Sequence, residues 1–227
     1  MKAKLNLQLL KTTTFDSGSL GLLAMVIHQF PAVGNYRVSI RQEGRMIADT
    51  AFKVADESEV LQLNFDLAEA GLADSGYNCE NPKERMVSPK GYVLFHVSSG
   101  SGYSVVVANT ADELIFDSTR LGQDDLFAVS LLEPGNYSMT NKLGSAAGEI
   151  VVSLPSQPDQ QINNLETQYV DVSENEFDPD RIGLVSSQGL VFRIKGSARL
   201  LIEKTDTLPK AAAKPVVRWQ RPQTQKR

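Results

Sequence analysis

The chain has 227 residues, 41% of them apolar and 22% charged, a globular composition with enough apolar side chains for the core of one or two domains. Its longest apolar run, Leu20-Gly-Leu-Leu-Ala-Met-Val-Ile27, stops at His28, well short of the ~20 residues that a helical membrane span needs. The formal charge is −4, but six cations and no acid fall between Lys210 and Arg227, so an acidic body of −10 carries a basic end.

Lys2, Lys4 and Lys11 precede the apolar run, yet Asp16 lies on its upstream side and Phe30-Pro31 replaces a small-residue cleavage site, which speaks against a secretory leader. Beyond it, period-two alternation dominates. Tyr36-Arg-Val38-Ser-Ile40-Arg41 and Leu61-Gln-Leu63-Asn-Phe65-Asp66 read as half-buried strands. Turn residues follow at short intervals: Val33-Gly-Asn35, Glu43-Gly44, Ser99-Gly-Ser-Gly102, Glu133-Pro-Gly-Asn136 and Gln188-Gly189. Helix-like patterning is confined to Leu67–Gly71 and Thr110–Glu113. A polar stretch from Ser75 to Lys90 reads as a linker or long loop, and a second from Pro155 to Asn164 precedes strands at Val170–Val172, Arg181–Val185, Leu190–Ile194 and Arg199–Ile202. After Leu208 periodicity ends in Ala, Pro, Gln and basic residues, the composition of a flexible tail. The expectation is an all-β antiparallel β-sandwich fold of about fifteen strands. Parallel strands are not expected, because helical crossovers have no room here.

Leu23-Ala-Met-Val-Ile-His-Gln-Phe-Pro-Ala-Val-Gly-Asn-Tyr36 is similar to Leu126-Phe-Ala-Val-Ser-Leu-Leu-Glu-Pro-Gly-Asn-Tyr137. Each reads as an apolar strand, a tight turn and a strand opened by Gly-Asn-Tyr. Two readings are open: convergence on a common turn, or two related sandwich domains over residues 1–80 and 85–206, followed by the tail at 207–227.

Two segments carry a family resemblance. Glu176-Phe-Asp-Pro through Ile194 resembles the opening strands of cupredoxin-like β-sandwiches, and Leu131–Val152 resembles their closing hairpin, although the two occur in reversed order. Pro-Gly-x-Tyr also closes immunoglobulin-like sandwiches. Copper-binding members draw Cys, His and usually Met from the closing hairpin; here Asn141 stands about where the Cys belongs, and no His or Cys follows it in the hairpin.

Chemistry-bearing residues are sparse. Cys79, His28 and His96 are the only thiol and imidazole groups, none at a metal-ligand spacing, and no tightly bound transition metal or other cofactor is expected. The lone Cys79 cannot pair internally and suits a reducing compartment, which places the chain in the cytoplasm or in a virion. Acidic stretches at Asp56–Glu59, Asp124-Asp125 and Glu174–Asp180 offer oxygen ligands for calcium but lack the Asp-x-Asp-x-Asp-Gly loop. Phosphate loops, nucleophile elbows and zinc-protease motifs are missing. The tail holds the only tryptophan, Trp219, between Arg218 and Arg221, with Lys226 and Arg227 beyond. That pattern suits docking to a protein partner, fold-back onto the acidic body, or nucleic-acid binding. The sequence therefore reads as a non-catalytic structural or interaction subunit of an assembly. The alternative is a ligand-binding or carbohydrate-active sandwich enzyme with a carboxylate-based site.

Overall fold

Glu43 and Gly44 show how alternation becomes structure here. Both adopt left-handed backbone, with φ of 49° and 79°, the combination a two-residue hairpin turn requires. The turn joins β3 (Gly34–Gln42) to β4 (Arg45–Val54) and pairs Gln42 with Arg45. The register then puts Tyr36, Val38, Ile40, Phe52 and Val54 on one buried face.

The computed structural model describes residues 11–70, 85–155 and 165–205. Besides β3 and β4, the first half of the chain forms β1 (Thr14–Asp16), β2 (Ala24–His28), β5 (Gln62–Asp66), β6 (Met86–Val87), β7 (Tyr92–His96) and β8 (Tyr103–Asn109). Among the described residues the α-helix is α1 (Leu67–Ala70), four residues long. The second half forms β9 (Leu114–Asp117), β10 (Leu126–Ser130), β11 (Gly135–Asn141), β12 (Ala147–Ser153), β13 (Gln168–Val172) and β14 (Phe177–Asp178). It continues through β15 (Arg181–Val185), β16 (Gly189–Ile194) and β17 (Leu200–Lys204). The described fold is all-β, in three sheets: β14-β13-β16-β10-β2-β7-β5, β6-β4-β3-β8-β9 and β1-β17-β11-β12-β15.

Two expectations need correction. Thr110–Glu113 is the turn between β8 and β9 rather than a helix, because the Asn109 carboxamide oxygen accepts the N–H groups of Ala111 and Glu113 and competes with helical bonding. Four strand pairs are parallel: β4 with β6, β5 with β7, β12 with β15 and β13 with β16. No helical crossover is needed, since a strand of another sheet comes between the two partners each time: β5 between β4 and β6, β6 between β5 and β7, β13 between β12 and β15, and β15 between β13 and β16. Strands on either side of residues 80–85 share sheets, with β6 beside β4, β7 between β2 and β5, and β8 beside β3.

The two halves repeat one set of pairings. In each, the long hairpin (β3/β4, β11/β12) takes the last strand (β8, β17) on one side and a parallel strand (β6, β15) on the other. The strand before the hairpin lies antiparallel to the penultimate strand, as β2 to β7 and β10 to β16. The Tyr36 and Tyr137 hydroxyls each donate to a carbonyl four residues upstream, Ala32 and Glu133, at 2.7 Å. Inward faces of all three sheets meet in one core. In it Tyr36 stacks on Phe52, Phe52 meets Phe65 at 5.9 Å, and Phe95 stacks on Phe116 at 5.6 Å.

Gly34 and Gly135 head equivalent strands but are not equivalent in backbone. Gly135 has φ of 143°, whereas a Cβ on Gly34 would meet nothing within 4 Å. Gly135→Val should lower stability by about 1–3 kcal/mol. Gly34→Val should stay within about 0.5 kcal/mol of wild type. Equal melting temperatures for the two variants would refute this difference. Tyr36→Phe and Tyr137→Phe should each cost about 0.5–1.5 kcal/mol in denaturant titrations.

Candidate functional site

Arg218, Trp219, Arg221, Lys226 and Arg227 lie outside the described residues, as does Cys79. The two histidines lie on β2 and β7, neighbouring strands of the seven-stranded sheet, but face opposite ways. His28 points inward, where its ring meets Phe30 edge-on at 4.4 Å and Phe116 at 5.1 Å. His96 points outward.

His28 Nδ1 lies 2.5 Å from Asp125 Oδ1, and the Asp125 side chain is 5% exposed. Asp125 Oδ2 accepts the N–H of Gly122 at 2.6 Å, and its carbonyl accepts that of Ile194 at 2.9 Å. A buried carboxylate needs such partners, and these tie β2 of one half to the loop ahead of β10 in the other. Among the described residues no three His, Cys, Asp or Glu side chains are grouped to hold a metal ion.

Asn141, at the position the cupredoxin comparison singled out, is 3% exposed and serves as a polar hub. Its amide nitrogen donates to the carbonyls of Ser173, Glu174 and Ser197 at 3.1–3.4 Å, and its oxygen accepts the N–H groups of Leu143 and Arg199 at 3.0 Å. It fastens three loops together.

The feature that sequence reading missed is the outer face of the seven-stranded sheet. Register aligns two rows across it. One runs Asp171, Arg193, Leu126, Ile27, Leu94, Asn64; the other runs Tyr169, Val191, Ala128, Met25, His96, Asp66. The middle of both rows is apolar and partly exposed, on the side away from the core. The ends are polar. Arg193 pairs with Asp171 at 2.6 Å and covers the ring of Tyr169, itself 52% exposed. A groove of about 360 Å³ crosses the second row between Met25, His96, Ala128, Thr167 and Val191. A smaller polar hollow of about 290 Å³ beside it is lined by Asn64, Asp66, Glu69, Arg85 and His96. Each outward side chain belongs to an alternating strand, but the rows exist only once six strands from both halves are placed side by side.

Asp66 anchors the rim. Its Oδ1 accepts the N–H groups of Ala68, at the start of α1, and Ser98, at 3.0 and 3.2 Å. Burial pushes its carboxyl up, but the hydrogen bonds from Ser98 and Ala68 outweigh that and hold it below the ordinary range.

Comparison with protein-family models, with curated proteins and with solved structures finds no match for this chain.

Asp125→Ala should cost about 3 kcal/mol, because it strands the Gly122 N–H and the His28 ring in a buried site. Asp125→Asn, which keeps hydrogen-bonding capacity, should cost about 1 kcal/mol. Equal losses in denaturant titrations would show that the pair matters only as packing. The depressed Asp66 carboxyl stabilises the fold above the unfolded value, about pH 3.9, and that contribution is lost as pH falls through the lower folded value. Asp66→Asn should therefore flatten the acid limb of stability against pH, which melts between pH 2 and 5 would check.

Proposed function

We propose that this chain is a non-catalytic assembly subunit, built of two β-sandwich halves, whose outer seven-stranded face docks a second copy. One observation carries the reading: six apolar side chains stand in register across four central strands, inside a polar rim. That is the anatomy of an interface, with a desolvated centre and hydrated edges. Charge favours another copy as the occupant. The body carries −10, while the residues after Leu208 carry six cations. Arg218, Arg221, Lys226 and Arg227 on one copy attract the acidic body of the next, and Trp219 supplies an apolar anchor.

The chemistry for turnover is thin by comparison. The inward-facing imidazole of His28 is paired with Asp125 and flanked by Phe30 and Phe116, and the carboxylates at Asp56–Glu59 are spread on an exposed loop where Glu57 pairs with Lys53.

Light scattering of the full-length protein over a range of concentrations tests this. Wild type should self-associate, and raised salt should weaken the association. Ile27→Glu together with Leu126→Lys should abolish it with little change in melting temperature, because both side chains lie outside the core and the opposite charges face each other across the β2–β10 pair. Ending the chain at Leu208 should leave the melt unchanged and weaken association. A wild type that is monomeric at every concentration contradicts the proposal. Salt-sensitive capture of nucleic acid by the tail in place of self-association would contradict the choice of occupant.

A further inference from the structure

We infer that residues 11–17 form an exchangeable arm, which a second copy of this chain accepts along β17. The inference rests on the self-assembly reading and names a contact through which copies join.

β1 does not pair within its own half. It lies antiparallel to β17, with Thr14 opposite Glu203, Phe15 opposite Ile202 and Asp16 opposite Leu201. β9, the opening strand of the second half, lies in return on β8. Each half thus lends its first strand to the sheet of the other.

The crossings are made by one sequence used twice, Phe15-Asp-Ser-Gly-Ser-Leu-Gly21 and Phe116-Asp-Ser-Thr-Arg-Leu-Gly122, placed 101 residues apart. In the first, the Asp16 carboxylate accepts the N–H of Gly18 at 2.8 Å, and the Asp16 carbonyl accepts that of Ser19 at 3.1 Å. In the second, Asp117 holds Thr119 and Arg120 at 2.8 and 3.0 Å. Ser17 and Ser118 are both fully buried, and their hydroxyls accept the N–H groups of Leu200 and Val105 from the opposite half. Leu20 and Leu121 then return the chain to its own half, exchanging two hydrogen bonds with Tyr103 and Ala198.

The two arms differ in how they are tethered. Both are edge strands, but β9 lies between β8 and β10 in sequence, whereas β1 is the first described strand and leads into the fold through the Gly18–Ser19 turn. The register and the polar contacts of Phe15, Asp16 and Ser17 are made with Arg199 and β17 of the other half. Phe15 is 2% exposed beside Ile202, Asp16 takes both Nε and Nη2 of Arg199 at 3.1 and 2.8 Å, and Ser17 bonds Leu200. A second copy's arm would remake every one of these contacts. Opening the turn sacrifices only the two Asp16 bonds, and Gly18 gives the hinge its backbone freedom. Reciprocal exchange closes into a two-fold dimer. Strand addition to the vacated edge of β17 supplies the affinity.

Disulfide trapping tests the exchange in the full chain carrying Cys79→Ser. Thr14 and Glu203 face each other as a non-hydrogen-bonded antiparallel pair on the exposed side, where Cα atoms stand about 4.5 Å apart and a disulfide fits. Copies with Thr14→Cys and copies with Glu203→Cys are mixed at high concentration just below melting, cooled and oxidised. They should yield covalent heterodimer about ten-fold above a control pairing Thr14→Cys with Arg181→Cys on distant β15, since only exchange raises the local thiol concentration. Both substitutions in one chain should lock the arm in place and lower association below that of wild type, leaving only docking by the sheet face. Heterodimer at the control level overturns the exchange. So does a locked variant that associates as wild type does, a result that leaves docking by the sheet face intact. A wild type that never associates removes both.

Discussion

The pairing of β2 with β10 is the contact on which the rest of the structure depends. Val26 lies opposite Phe127, both are fully buried, and the two occupy equivalent positions 101 residues apart in the repeated halves. A local two-fold axis therefore runs between them. Through this one ladder a four-stranded and a three-stranded sheet become a single seven-stranded sheet. Burying such side chains contributes about 1.5–3 kcal/mol each. The other links between halves are the crossing strands, β1 on β17 and β9 on β8, and the His28–Asp125 pair.

Much of this was legible in the sequence, and the losses have physical causes. Alternation located Tyr36–Arg41 and Arg181–Val185 because a sheet with one buried face writes itself as period two. Glu43-Gly44 announced its hairpin because few dipeptides accept two left-handed residues. The similarity through Gly-Asn-Tyr was visible, but its extension back to Phe15-Asp-Ser and Phe116-Asp-Ser was not read. The signal there is local turn and crossing chemistry, not strand periodicity. Parallel pairs left no trace, since neighbours in a sheet need not be neighbours in sequence.

The candidate site was less legible still. His28 looked like a strand histidine among apolar neighbours, and nothing local reveals that Asp125 reaches it from 97 residues away. Asn141 looked like a missing ligand and is a structural hub. The apolar rows have no sequence signature, because Leu94, Ile27, Leu126 and Val191 are separate outward residues in strands drawn from both halves. The fused sheet with one apolar face, the acidic body and the basic end come from different levels of the chain: the first needs the tertiary fold, the others only composition.

Native-state hydrogen exchange tests the central claim, that the β2–β10 seam makes one cooperative body of two halves, most directly. Amides of Val38 and Val105 in one half and of Met139 and Ile202 in the other should exchange through openings of equal free energy, moving together as denaturant is added. If the two sets open with distinct free energies and distinct denaturant dependence, the halves are independent domains and the seam does not hold them together.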